Sequence, residues 1–273
     1  MLASLYRGWR AVGTGLCFAG YGVCSLIANV TVLPVLLLWP ATPQVRQRHT
    51  RMFISYTCRA LLAAIAGLGL GKVEVEGREW LAHADGRLVV ATHPMYLDVV
   101  ALISLLPTAD CVVKSVLLRN PFTRNFVKAA GYISNADSVG LIDACIDTLR
   151  NGHTLIVFPE GSRSTPGEPT NFKRGAAQIA VRSHCEILPV LIRCLPPALL
   201  KSTQWYQVPD RPWRLLIKAY PPQTLAALGH RDELPHGVAA RHLTHTLESF
   251  FTRQIANHEY PDTRTETAHH RFA

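Results

Sequence analysis

Hydrophobic and polar positions divide the chain into two regimes. From Ala11 to Pro40 no residue is charged, and the apolar side chains culminate in Val32-Leu-Pro-Val-Leu-Leu-Leu-Trp39. About 20 such residues suffice to cross the hydrocarbon core of a membrane. Asn29 and Pro34 interrupt this segment, so it predicts an anchor that either spans or re-enters. It is too long for the apolar core of a signal peptide, about 7–15 residues, and no small-residue cleavage site follows. Beyond residue 71, short apolar runs alternate with amphipathic stretches. Lys72–Glu76, Arg87–Ala91, Cys111–Lys114, Tyr132–Ser134 and His153–Phe158 predict strands, and Met95–Leu106, Pro121–Ala130, Ser138–Arg150 and Phe172–Ser183 predict the helices between them. Strands over Ile187–Cys194 and Trp213–Ala219 follow, separated by a loop at 196–212 with four prolines, and a helix over Gly237–Asn257 closes the pattern. The expected fold is α/β, a mostly parallel sheet flanked by helices, with an N-terminal helical membrane anchor. The expected organisation is an anchor of one or two helices at 1–71, an α/β domain at 72–260 and a polar tail at 261–273. A length of 273 residues fits one such domain plus an appendage and disfavours two catalytic domains.

Charge sharpens the division. Residues 1–73 hold seven Lys/Arg and no Asp or Glu, whereas the rest of the chain carries 21 basic and 19 acidic side chains, so most of the net +9 belongs to the anchor. A basic collar around an apolar segment suits anionic headgroups on a cytoplasmic leaflet and makes nucleic acid a poor partner. The seven cysteines are odd in number and show no C-x-x-C spacing, which points to a reducing compartment rather than a disulfide framework. No H-E-x-x-H occurs, and His269-His270 lies in the polar tail, so no metal site is expected. Gly67-Leu-Gly-Leu-Gly-Lys72 fails both nucleotide fingerprints, because Val73 stands where a P-loop needs Ser or Thr and the third Rossmann glycine is absent.

Candidate chemistry sits at two strand ends. His93 directly follows the strand Arg87–Ala91, with Pro94 placed to open a helix and Asp98 one turn into it. Ligands of open α/β sheets gather outside the carboxyl ends of strands. A carboxylate at that distance can fix one imidazole tautomer and support its charged form, making the pair a base for a hydroxyl. A helix-capping histidine beside a solvated aspartate is the plainer reading. The strand His153–Phe158 ends likewise in Pro159-Glu-Gly-Ser-Arg-Ser164. Gly161 permits a tight turn, Arg163 can clamp an anion through paired hydrogen bonds, and Lys173 and Arg174 add positive charge. Together with Glu160 and Ser162 they outline an anion pocket; an ordinary loop with solvated charges is the alternative. Lys114, ending the third strand, is either an oxyanion stabiliser or a surface lysine.

His93-x4-Asp98, then Phe158-Pro-Glu-Gly-Ser-Arg163, then Ile187-Leu-Pro-Val190 resembles the lysophosphatidic acid acyltransferase family of membrane-bound glycerolipid acyltransferases, over roughly residues 72–220. The resemblance implies transfer of a fatty acyl group from an acyl-thioester, on coenzyme A or acyl carrier protein, to a lipid-like hydroxyl, with no other cofactor. It also implies His93 as general base, Asp98 as its support, and acceptor binding by Glu160, Gly161 and Arg163. Membrane lipids and the thioester carrier are the implied partners, and the implied place is a bacterial inner membrane with the catalytic domain facing the cytoplasm. Two departures stand out. Thr92 occupies a position that is often asparagine in the family, and Gly131-Tyr-Ile-Ser-Asn-Ala-Asp137 lacks the arginine expected to hold a glycerol phosphate. A specialised, non-glycerophosphate acceptor is therefore the alternative. Phe172-Lys-Arg-Gly-Ala-Ala177 and Ile192-Arg-Cys-Leu-Pro-Pro197 are similar to acyltransferases of bacterial aryl-polyene lipid clusters. A serine hydrolase or thioesterase built on Ser162 would lack the Gly-x-Ser-x-Gly elbow, and a non-catalytic membrane scaffold would need only the anchor.

Overall fold

The computed structural model describes residues 2–135, 140–165, 170–230 and 233–259. Ala136, Asp137, the start of the helix expected from Ser138, and the tail at 261–273 with His269-His270 lie outside the described residues. The chain opens with two long helices, α1 (Leu2–Leu38) and α2 (Pro43–Gly67). It continues through β1 (Gly71–Glu76), α3 (Arg78–Ala82), β2 (Leu88–Ala91), α4 (Asp98–Leu105), β3 (Asp110–Val113), a 3-10 turn at Ser115–Leu118, α5 (Arg124–Ala129) and β4 (Ile133–Ser134). The second half runs α6 (Leu141–Arg150), β5 (Leu155–Val157), α7 (Gly175–Ser183), β6 (Ile187–Leu195), β7 (Trp213–Ala219) and α8 (His236–Glu259).

The strands form one sheet in the order β1-β7-β6-β2-β5-β3-β4, parallel throughout except where β7 runs against β6. The alternating pattern beyond residue 71 thus folds as expected. β2, at the centre, is buried on both faces: Leu88 and Val90 join Leu155 and Val157 under α6, α7 and α8, while Val89 and Ala91 join Leu97, Ala101 and Leu102 under α2 and α4. Burial on two faces is why this strand reads as a continuous apolar run. β7 alternates instead, with Trp213, Leu215, Ile217 and Ala219 buried and Arg214 exposed.

α1 is a single helix that continues through Asn29 and Pro34, long and apolar enough to cross a membrane by length and composition. Its break comes after Leu38, and α2 starts at Pro43 with Thr42 accepting a hydrogen bond from the Val45 amide. A proline at the first helical position loses no hydrogen bond there.

The basic collar is not wholly a surface feature. Arg51 is buried against Asp110 at 2.5 Å and also donates to the carbonyls of Ala130 and Thr108, tying α2 to the sheet. Arg10 is buried and donates to the carbonyls of Pro209 and Asp210, and Arg59 donates to Ser104. Composition counts these charges correctly, but Arg10, Arg51 and Arg59 spend donors on carbonyls and a carboxylate of the protein itself.

Candidate active site

β2 and β5 are hydrogen-bonded neighbours, with Val90 opposite Val157. Three residues beyond that pair the chain reaches His93 on one strand and Glu160 on the other. Register alone therefore brings the two motifs to one point. The His93 amide donates to Glu160 Oε1 at 3.1 Å, and the Ser164 amide returns a bond to the His93 carbonyl at 2.8 Å.

The imidazole is held from two sides. Its Nδ1 lies 3.0 Å from Asp98 Oδ2, and its ring rests on Phe158 with centroids 4.5 Å apart. β5 ends at Val157 rather than at Phe158 as expected, which frees this phenyl ring from the ladder to support His93. A carboxylate at Nδ1 fixes the proton there and leaves Nε2 as the nitrogen that can accept one.

The helix expected from Met95, with Pro94 at its first turn, begins instead at Asp98. The backbone donors ahead of it tie this segment to the site and to a distant loop. The amide of His93 is committed to Glu160, that of Met95 to Asp98 Oδ2 at 2.7 Å, and that of Tyr96 to the Leu199 carbonyl at 3.2 Å. Residues 93–97 thus form a non-helical turn in which the amides of His93, Met95 and Tyr96 are all paired. Asp98 stands at the helix start, one residue past that turn, and its carboxylate folds back over it.

Asp98 is fully buried. Burial pushes its carboxyl up to about 6 against the opposing pull of the His93 hydrogen bond and charge, the Met95 amide and the Arg163 charge. Glu160 is also raised by burial, opposed by the His93 amide and Ser164. Two carboxyls with raised affinity for protons thus stand beside one imidazole, the kind of perturbed cluster that functional sites assemble.

Around this pair, Gly161 adopts φ +70, the left-handed region that favours glycine, and the Lys173 side chain lies across it. A Cβ at Gly161 would come within 3.2 Å of Lys173 Cδ and Cε, so the glycine makes room for the lysine stem. Arg163 donates to the Leu199 carbonyl at 2.9 Å and sits 5.7 Å from the centre of the Tyr96 ring. Ser162 is half-buried on the same turn, whereas Arg174 is exposed at the start of α7 and makes no side-chain hydrogen bond or ion pair among the described residues. Lys114 is exposed where β3 ends, and its ammonium likewise engages no described group. The structure therefore gathers His93, Asp98, Glu160, Gly161, Arg163 and Lys173, and leaves Lys114 and Arg174 outside that network. Thr92 points away from the imidazole: its hydroxyl bridges the amide and carbonyl of Ile192 on β6, at 2.8 and 3.1 Å. Phe158, Tyr96 and Leu199 are the parts that sequence reasoning missed. Phe158 and Tyr96 lie inside motifs already singled out, but Leu199 is about a hundred residues away in the proline-rich loop.

An imidazole so held can take a proton from a hydroxyl, and a guanidinium and an ammonium alongside can hold an anion. The profile of the acyltransferase family matches residues 72–193, which spans both motifs. A chloroplastic 1-acyl-sn-glycerol-3-phosphate acyltransferase of Brassica napus is 27% identical over 65% of this chain and 52% of its own. The 1-acyl-sn-glycerol-3-phosphate acyltransferase of Helicobacter pylori is 28% identical over 59% of this chain and 70% of its own. Among these curated relatives the chain spans from 39% to 52% of the length of three. The crystal structure of the 1-acyl-sn-glycerophosphate acyltransferase of Thermotoga maritima superposes with a TM-score of 0.73 over 94% of this chain and 98% of that one, at 20% identity, and so shares the fold.

Proposed function

We propose that this chain, whose residues 72–193 match the acyltransferase family, is a membrane-bound O-acyltransferase of the lysophosphatidic acid acyltransferase kind with His93 as its general base. The acyl group passes from a thioester, on coenzyme A or acyl carrier protein, to a hydroxyl of a lyso-phospholipid-type acceptor. The observation that carries this reading is the His93–Asp98 contact at 3.0 Å, made beside Arg163 and Lys173. The acceptor oxygen attacks the thioester carbonyl as its proton moves to His93 Nε2. Collapse of the tetrahedral intermediate breaks the C–S bond, and the proton leaves with the thiolate. Arg163 and Lys173 hold the acceptor's anionic group, and the Glu160–Gly161 turn shapes the floor.

α1 supplies the anchor at a bacterial inner membrane, with the α/β domain on the cytoplasmic side. Its contacts favour an anchor that lies along the domain. Arg10 donates to the Pro209 and Asp210 carbonyls near one end, and Asn29 bonds the Phe122 carbonyl and Asn125 toward the other. A helix fastened over that length would draw the domain into the hydrocarbon if it stood across it.

A second reading, a specialised acceptor such as that of an aryl-polyene lipid pathway, is favoured by the missing arginine in Gly131–Asp137. The test is acyl transfer by the purified full chain in mixed micelles. Acyl-coenzyme A or acyl carrier protein is offered with lysophosphatidic acid, other lyso-phospholipids and hydroxylated lipids, and products are read by mass spectrometry. Product with one acceptor class, abolished in His93→Ala and retained in Ser162→Ala, supports the reading. Thiol release without an acceptor, lost in Ser162→Ala, would replace it with a hydrolase.

A further inference from the structure

α1 carries an aromatic row supplied by the α/β domain. The Trp205 ring lies on α1 at Gly15, so close that a Cβ there would meet Cζ3 at 2.8 Å. Phe122 lies at Gly22, 3.6 Å from the equivalent point, and Ser25 Oγ donates to its carbonyl at 2.5 Å. Between them, Phe18 meets Tyr96 edge to face at 6.1 Å, and Tyr96 is the ring beside Arg163. Gly15, Phe18 and Gly22 are three and four residues apart and therefore share one side of the helix. The three domain rings follow one another along this side of α1, with Tyr96, the ring beside Arg163, between the other two.

Those rings are not buried by the contact. Trp205 is 49% exposed, Tyr96 56% and Phe122 38%, and Tyr206 and Val116 on the same two segments are exposed as well. Beyond residue 71, Val238 is the one other large apolar side chain exposed among the described residues. Such residues scattered singly need no explanation, but a cluster does. The segments that present them are cationic: 115–124 holds Arg119 and Arg124 with no acidic residue, and 196–212 holds Lys201 and Arg211, with its single carboxylate, Asp210, facing Arg7 at 3.5 Å. On the side of α1 away from the domain, Val12, Leu16, Val23 and Val30 continue the same apolar surface.

We infer that the segments 115–124 and 199–206 form a second lipid contact, seated in the headgroup boundary of an anionic bilayer beside α1. Aromatic rings with an apolar body and polar edge favour that depth, and cations beside them are drawn to anionic headgroups. The site's mouth then opens at the lipid surface, with Tyr96 at the boundary. This inference rests on membrane attachment through α1 and not on the chemistry at His93.

The test is quenching of tryptophan emission in vesicles of phosphatidylglycerol and phosphatidylcholine carrying brominated acyl chains. In the full chain with Trp9→Phe and Trp39→Phe, Trp205 is the remaining exposed tryptophan, since Trp213 is buried and Trp80 half-buried. Brominated lipid should quench it while aqueous iodide does not, and adding Trp205→Phe should remove most of the quenchable emission. With Trp205→Phe retained, Phe122→Trp should restore it. Iodide quenching of Trp205 without lipid quenching would overturn the inference by leaving the ring in water. Quenching by neither would overturn it equally, because a protein surface would then cover the ring. A variant with Trp9→Phe and Trp205→Phe reports on the anchor through Trp39. Failure there would reject membrane attachment, while failure at Trp205 and Phe122 alone would reject only the second contact.

Discussion

The turns that follow β2 and β5 and the turn that follows β3 leave the sheet at the same edge, since these three strands are parallel. Yet the first two are laced together and the third is not. His93 and Glu160 are joined by an amide–carboxylate bond, His93 and Ser164 by a backbone bond, and Asp98 is sealed beneath them. Lys114, at the third strand's end, faces solvent. Position at a carboxyl edge is thus a necessary feature of the site but a weak one. What separates the turns is adjacency to β2, the strand that carries His93: β5 pairs with it directly, whereas β3 pairs with β5 and is kept from β2 by it.

The sharpest way to break this comparison is to remove the base. His93→Ala should lower turnover by about 10²–10⁴-fold or more, measured as thioester consumption with saturating acceptor, with the fold retained. A variant that keeps near-normal turnover would move the chemistry away from the β2–β5 pair. Asp98→Asn should cost a comparable factor, because an amide cannot hold the Nδ1 proton in the same way.

Asp98 also gives the joined turns a response to pH. Its carboxyl is raised from the ordinary 3.8 to about 6 by burial. Between those values the folded chain keeps a proton that the unfolded chain has lost. Its contribution to stability is therefore full below the unfolded value and is lost as pH rises through about 6. Activity should run the other way, falling as pH drops through about 6 and the carboxylate is neutralised. A profile of kcat/KM against pH, with denaturant midpoints over the same range, checks both slopes, and Asp98→Asn should flatten the stability contribution.

Much of this arrangement was legible in the residues. Strand and helix alternation identified the sheet, and each motif's place immediately after an apolar run put both at its carboxyl edge. Period-based reading failed where tertiary bonds displaced local preference. Pro94 carries a good helix-opening signal, but residues 93–97 form a turn tied to Glu160, Asp98 and Leu199, and the helix starts at Asp98. Charge counting failed for a related reason: Arg51 reads as part of a collar, but the buried carboxylate it meets, Asp110, lies 59 residues on. Nothing local distinguishes such an arginine from a surface one.

Arg163 tests the anion-holding half of the site with a smaller effect. Its guanidinium spends one donor on Leu199 and lies over Tyr96, and its other donors engage no described group, which suits them to a ligand. Arg163→Ala should raise the acceptor KM by about ten- to a hundredfold while kcat changes less, as expected for a charge-assisted hydrogen bond. Arg163→Lys should recover only part of the loss, because an ammonium cannot make paired bonds or stack in the same plane. An equal fall in kcat with unchanged KM would place Arg163 in the chemical step instead.

The smallest effect belongs to the turn after β3. If adjacency selects the working residues, Lys114→Ala should leave kcat and acceptor KM within about twofold of the parent, the range expected of a surface substitution far from a strained or buried feature. Lys114→Glu sharpens the point, because a charge reversal acts through space where a truncation does not. A long-range cost that fades with added salt would mean only that the lysine contributes to the field that draws anionic substrates to this edge. A loss above about tenfold in kcat that persists at high salt would require the β3 turn to reach the reacting oxygen when substrate is bound. The oxyanion role first suggested by its position at a strand end would then be restored, and direct strand adjacency would no longer be the rule that selects the site.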